Sequence, residues 1–425
     1  MYKDTGAIDA ASNLFNLDDY VVLGTEGSGA SRTVHVEPRT PEAPCPTCGV
    51  FSRRIQARPV HRVKDVACGG KGLEVMVRKR RLVCQETACP KRTFVQVTDQ
   101  IPLRSRLTTR LVGEIVEDSI QELRAVTGIA KAHGVSWPTV MRKLAVTEQI
   151  LLDVDQRLVR RLGVDEHRFR RVRYVLGTTG KTMRVEPWSI VFTDLDTGTI
   201  LDVVDGRRGK AVTTWLAQRP EQWKRNIDYV AMDMSAEFRK AIRDSLPEAQ
   251  VSVDHFHVVQ LTNRMVTAVR QRRAQDLHGR RGRNIDPAYK YRKLLTCNLE
   301  KLSLKQTERI KEILASDVEL GVVYAIKEHV RGLLKTSTKE SFSTAWEKLE
   351  TSVNATDMTE AKSLLRTLTA WKTELEVFCL TRLTNARSEA ANLTAKNIKR
   401  IGRGYVNHNN YRLRILLYTA RLRPC

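Results

Sequence analysis

Residues 228–246, DYVAMDMSAEFRKAIRDSL, join a short apolar run to an amphipathic segment through an acid, Asp233. An apolar run of this length is typical of a buried strand. Ser235 follows the acid, and serine favours the first position of a helix because its hydroxyl accepts a backbone N–H. The stretch therefore predicts a buried strand that ends at Asp233 and leads directly into a helix.

Strand and helix patterns continue on both sides of this stretch. Three successive strands are predicted from RLGVDEHRF at 161–169, WSIVFTDLDTG at 188–198 and ILDVVDGR at 200–207. AVTTWLAQR at 211–219 predicts a helix, and AQVSVDHFHV at 249–258 predicts a further strand. The order β-β-β-α-β-α-β is that of the ribonuclease-H-like fold and, by analogy, predicts an α/β domain of that class.

Three acids stand out by their context. Asp165 lies near the end of the first predicted strand, Asp233 ends the fourth, and Glu389 lies early in a later helix, in NARSEAANLTAKNIKR. In a ribonuclease-H-like sheet the first and fourth strands are neighbours, so we expect their acids to converge and the later helix to bring the third. Carboxylates are the ligands that Mg²⁺ prefers, and phosphodiester chemistry uses two such ions about 4 Å apart. The pattern predicts a site for two Mg²⁺ or Mn²⁺ ions, although any single acid could instead be a turn cap or a surface charge.

Asp254, in SVDHFHV, competes with Asp233. It ends the next predicted strand and is followed by His255 and His257. Asp254 could be a fourth residue of the metal site, a partner that supports a ligand, or the true second acid, with His257 as a further accessory residue. The sequence leaves these alternatives open.

Two short-spaced cysteine pairs lie in one small segment rich in β patterns. Cys45 and Cys48 form one pair, and Cys84 and Cys89 form the other. Four thiolates suit one structural Zn²⁺, whereas the βαβ context of a redox CxxC motif is missing. Two residues between the pairs, His61 and Cys68, could replace a ligand. Three isolated cysteines are expected to be ordinary core or terminal residues: Cys297, Cys379 and Cys425.

Residues 126–145, VTGIAKAHGVSWPTVMRKLA, have the pattern of a helix-turn-helix. Gly134 suits the turn, and Ser136 begins the second helix with Pro138 in its first turn. The exposed face of that helix could reach the major groove of DNA. It carries Trp137, Thr139, Arg142 and Lys143. The alternative is a helical hairpin with a purely structural role.

The charge of the chain indicates a polyanionic partner. It contains 72 Lys and Arg against 48 Asp and Glu, a formal net charge of +24, and the basic residues occur along its whole length. Nucleic acid is the leading candidate, because neutralising phosphates releases counterions. Two basic clusters could follow a DNA backbone or could simply be solvated: Arg270, Arg272, Arg273, Arg280 and Arg281 in a predicted break at 270–284, and Lys396, Lys399 and Arg400 after Glu389.

Length and composition complete the outline. No apolar run approaches the roughly 20 residues of a membrane span, and no signal peptide is visible, so we expect a cytoplasmic protein with reduced thiols and no membrane partner. The predicted domains are 1–40, a lead-in with short β patterns; 41–100, a zinc-binding module; 105–150, a helix-turn-helix domain; 160–261, the first part of the ribonuclease-H-like domain; 262–385, a helical insertion; and 386–425, the final part of that domain with a basic C-terminal segment.

Taken together, these segments resemble the bacterial insertion-sequence transposases of the ISL3 family. The matching pieces, in the family's order, are CPTCG at Cys45, RRLVCQETACPKRTF at Arg80, the helix-turn-helix, GVDEHRFRR at Gly163, DMSAEFRKAI at Asp233, VDHFHVVQL at Val253 and SEAANLTAKNIKRIGRGYVNHNNYRLRI at Ser388. They span about 45 to 415, and neither the first 40 residues nor the region 270–375 takes part.

The resemblance implies a DDE transposase with an N-terminal zinc-binding domain and a helical insertion before its final glutamate. Residue by residue, it implies that the three acids are Asp165, Asp233 and Glu389, and it does not settle Asp254. The expected partners are double-stranded DNA, as transposon ends carrying terminal inverted repeats and as target, and a second copy of the chain, because two ends must meet. The expected location is the bacterial nucleoid. Two other functions remain alternatives: a non-enzymatic DNA-binding regulator, and a metal-dependent endonuclease that cuts without joining.

Overall fold

The structure is a computed structural model that describes residues 5–28, 31–148, 153–178 and 180–420. The chain forms two compact units. Unit 1 consists of Met1–Leu151 together with Ile398–Cys425, and unit 2 of Leu152–Asn397. Cys425 lies outside the described residues. No described helix is both long enough and apolar enough to cross a membrane.

The first part of unit 1 consists of one helix, then small β-sheets, then three helices. Its elements are α1 (Thr5–Phe15), β1 (Tyr20–Ser28), β2 (Ser31–Pro38), β3 (Ala43–Pro44), β4 (Phe51–Ser52), β5 (Ile55–Ala57), β6 (Val60–Cys68), β7 (Lys71–Arg78), β8 (Arg81–Val83), β9 (Thr93–Val95), α2 (Thr109–Ile120), α3 (Val126–Ala132) and α4 (Trp137–Glu148).

The first 40 residues contribute two strands to the largest sheet of unit 1. The strand order is β1-β2-β7-β6, in which β2 and β7 run parallel and the other neighbours antiparallel. Alternate residues of these strands face one core, where Val36, Val75 and Val77 are fully buried. The cysteine pairs lie on two smaller sheets, β3-β4 and β5-β8-β9, and on the loops beside them.

Unit 2 contains the sheet that the sequence predicts. Its elements are β10 (Arg161–Arg168), β11 (Arg173–Leu176), β12 (Thr182–Val185), β13 (Trp188–Asp194), β14 (Ile200–Asp205), α5 (Gly209–Ala217), α6 (Glu221–Arg225), β15 (Tyr229–Met232), α7 (Ala236–Ser245), β16 (Gln250–Val253), α8 (His255–His278), α9 (Pro287–Lys290), α10 (Arg292–Thr296), α11 (Leu304–Ser316), α12 (Val318–Lys335), α13 (Lys339–Asn354), α14 (Thr359–Ala370), α15 (Lys372–Thr381) and α16 (Ala386–Ile401), which crosses into unit 1 at Ile398.

The five-stranded sheet has the order β14-β13-β10-β15-β16. β10, β13 and β14 are antiparallel neighbours, whereas β10, β15 and β16 run parallel. The first and fourth strands of the predicted order, β10 and β15, are therefore adjacent, and the predicted α/β fold class is confirmed. The structure adds an exposed hairpin, β11–β12, between β10 and β13, which the sequence analysis did not predict.

Two local predictions around α8 were wrong. Residues 255–258 were predicted as strand, but the helix begins there because the Asp254 carboxylate caps it by accepting the backbone N–H of Phe256. The predicted break at 270–284 begins too early, since α8 continues to His278 and ends at Gly279, which has the left-handed φ of +63° that glycine adopts without strain.

The helices from α8 to α15 share one hydrophobic core with the sheet. Val269 of α8 and Val323 of α12 are fully buried in the same cluster as Val230 of β15 and Val253 of β16. The helical insertion is therefore packed against the sheet, and it positions the chain that returns as α16.

The segment 386–425, predicted as one final part of the catalytic domain, is divided between the two units. From Ile398 onward it belongs to unit 1, which also contains the last described helix, α17 (His408–Ala420). Leu413 and Leu417 of α17 are buried in the core of α2, α3 and α4, together with Ile115 and Leu144. The helical domain after residue 105 is thus completed by a helix far away in sequence.

Candidate functional site

Three aspartates lie side by side on three neighbouring parallel strands, Asp165 within β10 and Asp233 and Asp254 just beyond β15 and β16. Val164 of β10 pairs with Met232 of β15, and Met232 pairs with Val253 of β16. The next residue on each strand is an acid: Asp165, Asp233 and Asp254. The register of the sheet therefore places all three at the same level, at the carboxyl edge of β15 and β16.

Asp165 is buried and held by hydrogen bonds on both carboxylate oxygens. Its Oδ1 accepts the backbone N–H of Glu166 at 2.7 Å, and its Oδ2 accepts from Asn392 Nδ2 at 2.5 Å. Burial raises the pKa of the Asp165 carboxyl, the negative charge of Glu389 raises it further, and the positive charge of Lys396 opposes the shift. Asp165 therefore lies within the electrostatic reach of two residues of α16.

Asp233 lies just beyond β15, where the chain turns into α7. Burial raises its pKa to about 6, and the charges of Asp165 and Asp254 contribute to the shift, whereas His257 opposes it. Asn385 Nδ2 lies 3.5 Å from Asp233 Oδ1. A carboxyl with so high a pKa is crowded by like charges and poorly solvated.

Glu389 lies in the first turn of α16, on the flank of this group. Partial loss of solvation raises the pKa of its carboxyl, and the negative charges of Asp254 and Asp233 raise it further. Asp165, Asp233 and Glu389 thus lie within electrostatic reach of one another, but Glu389 is exposed and its carboxyl is not among the described ligand atoms that lie within 4.8 Å of one another.

A glycine on β10 allows α16 to approach the sheet. A Cβ atom built on Gly163 would lie 2.1 Å from Ser388 Oγ and 2.7 Å from Leu195 Cδ2, both far inside van der Waals contact. Only a residue without a side chain fits between the strand and the helix. Gly163 therefore sets the distance between the strand that carries Asp165 and the helix that carries Glu389.

Asp254 and His257 form a second arrangement beside Asp233. Asp254 is almost fully buried; burial would raise its pKa, but hydrogen bonding by His255 and His257 outweighs burial and holds the pKa well below its usual range. His257 lies between two carboxylates, with Nδ1 3.6 Å from Asp254 Oδ2 and Nε2 3.4 Å from Asp233 Oδ2. Ligand atoms of Asp233, Asp254 and His257 lie within 4.8 Å of one another, so these residues could also hold a divalent ion.

Asp165 and Asp233 line a cleft of about 510 Å³, whereas Glu389 does not line it. Its wall includes Asp165, Asp233, His257 and the start of α7, together with Arg207 and Arg208. Arg207 lies on the ring of Trp188, 4.4 Å from its centroid, and its Nε lies 3.1 Å from Glu166 Oε1. The cleft therefore combines crowded carboxylates with a cationic wall, a combination suited to metal ions and a phosphate backbone.

The four paired cysteines meet in unit 1. Cys45 Sγ lies 3.9 Å from Cys89 Sγ, and Cys48 Sγ lies 3.6 Å from Cys84 Sγ. These distances match the roughly 3.8 Å edge of a tetrahedron with Zn–S bonds of about 2.3 Å. Burial would raise the pKa of the Cys45 thiol, but the backbone amides of Thr47 and Cys48 outweigh it and lower the pKa to about 6.

The two substitute ligands that the sequence analysis considered lie outside this cluster. His61 Nε2 lies 2.8 Å from the carbonyl oxygen of Ser105, and Cys68 lies 3.8 Å from an Arg32 guanidinium. The arrangement of the four paired cysteines supports the expected zinc site.

The predicted recognition helix, α4, borders a basic groove of about 1060 Å³ in unit 1. Thr139, Arg142 and Lys143 line it, and Trp137 at the start of the helix is 42 % exposed. The opposite wall is basic as well and was not predicted from the sequence. It includes Arg62, Lys64, Arg104 and Arg106.

Backbone hydrogen bonds fix this second wall. Lys64 N–H donates to Arg106 O at 2.9 Å, and Thr108 N–H donates to Lys64 O at 3.0 Å, so residues 106–108 pair with β6. Buried Asp65 accepts from the Thr108 hydroxyl at 2.6 Å and pairs with Arg110 of α2. The groove is therefore rigidly built from β6, the 104–108 loop and α4.

Most of the arginine-rich cluster of α8 is engaged inside unit 2. Arg272 pairs with Glu319 and Glu360 at 2.7 and 2.8 Å, and Arg273 pairs with Asp317 at 3.0 Å. Arg280 forms an ion pair with Asp286, and Arg270 is buried. Arg281 is exposed. These ion pairs join α8 to α12 and α14. The charges of Arg272 and Arg273 therefore have a structural role that requires no ligand.

The basic residues after Glu389 lie on α16. Lys396 and Arg400 are exposed and Lys399 is half-buried. Lys396 is the member whose charge acts on Asp165.

Asn385 and Asn392, which contact Asp233 and Asp165, were not predicted from the sequence. Their spacing from Glu389, four residues before and three after, places all three on one face of a helix and was the available signal.

Comparisons with known proteins identify the family of the chain. A transposase family model of the ISL3 type matches residues 162–415, more than half of the chain. The helix-turn-helix domain of transposase family ISL3 matches residues 95–145, and the zinc finger of the transposases of IS204, IS1001, IS1096 and IS1165 matches residues 41–89.

The chain is also similar to a full-length relative. It is 22% identical over 392 residues to the transposase for insertion sequence element IS1001 of Bordetella parapertussis, which covers 92% of each chain. A solved structure, the Drosophila P element transposase strand transfer complex, is 11% identical with a TM-score of 0.38, covering 73% of this chain and 91% of that one. The expected identity is confirmed: the chain belongs to the ISL3 family of DDE transposases, enzymes that cleave DNA and transfer its strands.

Proposed function

We propose that Asp165, Asp233 and Glu389 hold two Mg²⁺ or Mn²⁺ ions and that the DNA cleavage and joining of this transposase take place in their cleft. The observation that supports the proposal is that the three carboxyls lie within electrostatic reach of one another and that all three have raised pKa values. Crowded, poorly solvated carboxylates repel one another, and divalent cations relieve that repulsion.

The donor set fits such ions because it consists of hard carboxylate oxygens on rigid elements. Asp165 is held on both oxygens, and β15 and α16 fix Asp233 and Glu389. When bound, two ions activate the attacking oxygen and stabilise the leaving oxygen of the phosphodiester. Asp165, the most deeply buried of the three, would hold the ions together with Asp233 and Glu389. Arg207 and Arg208 would hold the DNA backbone at the cleft.

Asp254 and His257 are proposed as supporting residues. The Asp254 carboxylate caps α8 and lies against both His255 and His257, so it sets the position of the His257 ring beside Asp233. In this role Asp254→Asn retains measurable cleavage because the cap remains. If Asp254 is instead a principal ligand, Asp254→Asn abolishes cleavage while Asp233→Asn does not.

The catalytic test uses the three carboxylates one at a time. Asp165→Asn, Asp233→Asn and Glu389→Gln each remove a charge while keeping size and hydrogen bonding. Each variant should bind DNA like the parent, whereas cleavage and strand transfer should fall by orders of magnitude. The substrates are the DNA segments flanking the reading frame, with paired inverted repeats, and pre-cleaved ends with a plasmid target. If all three variants cut like the parent, the proposed site is wrong; if the parent cuts but never joins, the enzyme acts as an endonuclease.

The proposed DNA-binding surface is the basic groove beside α4. Arg142 and Lys143 would contact DNA from the helix while Arg104 and Arg106 contact phosphates from the opposite wall. Each lost phosphate contact lowers the slope of log K against log salt by about 1. Replacing Arg104 and Arg106 by Ala should lower that slope by about 2 in a gel-shift salt series. Arg53 and Arg58, which do not line the groove, provide a charge-matched double control; equal slopes for both doubles would exclude this wall.

The proposed assembly on DNA is a homodimer, because two transposon ends must be held together for joining. Light scattering of the protein with end DNA should give a mass of two chains, and one chain per complex would contradict the proposal. We place its action in the bacterial cytoplasm, at the nucleoid, because DNA is its substrate.

A further inference from the structure

Helix α16 carries more than Glu389 toward the site. Asn385, Glu389, Asn392 and Lys396 follow one another at spacings of four, three and four residues, which places them on one helix face. Asn385 immediately precedes α16, and its carbonyl accepts the Glu389 N–H at 2.9 Å, so it continues the helical pattern. A glutamate is thus bracketed by two amide side chains.

Each asparagine contacts a different aspartate. Asn392, 3 % exposed, donates from Nδ2 to Asp165 Oδ2 at 2.5 Å, and Asn385, fully buried, places Nδ2 3.5 Å from Asp233 Oδ1. A carboxylate oxygen has two lone pairs. Asp165 therefore uses one acceptor position on each oxygen, for Asn392 and for the Glu166 N–H, and keeps one on each for another ligand.

The other half of each amide has no such partner. Asn385 Oδ1 and Asn392 Oδ1 are both buried and accept no hydrogen bond from any residue that the structure describes. Burying a polar atom without a partner lowers stability, so packing alone does not account for amides at these two positions. Leucine has nearly the same shape as asparagine and would fill the space without this cost.

An amide suits a residue that must hold a metal ligand. A lysine or arginine would orient an aspartate but would compete electrostatically with a cation, and another acid would add to the repulsion among the carboxylates. The neutral amide donates a hydrogen bond, favours the ionised form of its partner and leaves the charge available. Partners that orient metal ligands in this way tune metal affinity.

We propose that Asn385 and Asn392 are positioning residues that hold Asp233 and Asp165 in the orientation that binds the divalent ions. The proposal rests on the proposed function of the three acids. Asn392 contributes more than Asn385, because Asn392 donates a hydrogen bond to Asp165, whereas Asn385 Nδ2 lies 3.5 Å from Asp233 Oδ1, at the limit of a hydrogen bond. Neither asparagine reacts with DNA; both act through the aspartates.

The test is Asn392→Leu, which keeps the volume and removes the donor, in the full-length protein with its zinc retained. Mn²⁺ binding without DNA is measured by electron paramagnetic resonance, and the Mg²⁺ concentration giving half-maximal cleavage is measured separately. We expect Mn²⁺ affinity to fall roughly 10–100-fold, as for other partners of metal ligands. The half-maximal Mg²⁺ concentration should rise accordingly, and saturating Mg²⁺ should restore most of the cleavage rate. Asn385→Leu should show the same pattern more weakly.

Asn397→Leu is the matched control, because Asn397 is an exposed asparagine of the same helix, off this face. It should bind Mn²⁺ like the parent. If Asn392→Leu disrupts the fold of unit 2, Asn392→Ala removes the same donor without adding a branched side chain and carries the same expectations.

Two results separate this proposal from the proposed function. If Asn392→Leu folds and its Mn²⁺ affinity and Mg²⁺ requirement equal those of the parent while Asp165→Asn loses both, the positioning role is wrong and the three acids stand. If a reduced cleavage rate in Asn392→Leu is not restored by Mg²⁺ and Mn²⁺ binding is unchanged, the residue is only structural. Normal Mn²⁺ binding by Asp165→Asn would overturn the proposed metal site itself.

Discussion

Replacing Asp233 by Asn should make the metal-free protein more stable at neutral pH, although it should destroy catalysis. The pKa of Asp233 is raised from 3.8 to about 6 in the folded protein. A carboxyl with a raised pKa holds its proton more tightly when folded than when unfolded, so its contribution to stability is present below about pH 4 and is lost as the pH rises through about 6.

The expected size follows from that shift. A shift of about 2 pKa units corresponds to about 3 kcal/mol at about 1.36 kcal/mol per unit. The Asp233 side chain is 29 % exposed, and solvent screening reduces the effect, so we expect a gain of about 2 kcal/mol for Asp233→Asn above pH 7. The difference between variant and parent should shrink toward zero at pH 4.

Urea unfolding followed by tryptophan fluorescence measures this difference. Five of the six tryptophans lie in Leu152–Asn397, so the signal reports mainly on unit 2. Divalent ions are removed with metal-free buffers rather than a chelator, which would also strip zinc from unit 1. Adding Mg²⁺ should then stabilise the parent more than Asp233→Asn, because the parent keeps the ligand.

Glu248→Gln provides the control, since Glu248 is an exposed acid just before β16 and its replacement should change stability little at any pH. If Asp233→Asn is no more stable than the parent at pH 7.5, or if its advantage does not diminish toward pH 4, the carboxyls are not crowded as described. A larger response to Mg²⁺ in the variant than in the parent would contradict the assignment of Asp233 as a ligand.

Three further predictions concern other parts of the chain. Metal analysis of the double variant Cys45→Ser, Cys84→Ser should show the loss of about one Zn²⁺ per chain; full zinc content would refute the site. Gly163→Ala should push α16 away from β10 and reduce cleavage, while DNA binding measured by gel shift stays intact. Adding Ser388→Gly should recover part of the cleavage activity. Cleavage by Gly163→Ala at the rate of the parent would show that α16 can move without loss of activity. Leu417→Ala should destabilise unit 1 by about 2–5 kcal/mol and weaken DNA binding, as judged by urea titration and gel shift, and unchanged stability would mean that α17 is not part of that core.

The sheet and the position of its acids were predictable because their signals are local. The apolar runs before Asp233 and Asp254 marked two strands, and the order of elements then fixed which strands are neighbours. The same locality misled the prediction of residues 255–258, since the alternation in VSVDHFHV mimics a strand. The sequence also contained the signal for a helix, because aspartate is a preferred N-cap residue and Asp254 stands directly before this segment.

Other features depend on partners distant in the chain and left no local signal. Arg272 and Arg273 made the segment resemble a basic loop in sequence. In the structure they pair with Glu360 and Asp317, which lie 88 and 44 residues away in the chain. Arg412 of α17 pairs with Glu148 of α4, 264 residues earlier. Asn392 contacts Asp165 across 227 residues. Helical spacing could identify the face that Asn392 shares with Glu389, but it could not identify the aspartate that this face meets.

The packing of α17 into the helix-turn-helix core has a consequence for synthesis on the ribosome. Every other described element is translated before α17, so the domain that binds DNA cannot finish its core until Leu413 and Leu417 have emerged. Glu389 precedes Leu413 by 24 residues, whereas Asp165 precedes Glu389 by 224 residues. A chain interrupted before α16 lacks both Glu389, the proposed third metal ligand, and the leucines that complete the helix-turn-helix core. We therefore expect a translation product that stops before α16 to be impaired in both DNA binding and cleavage.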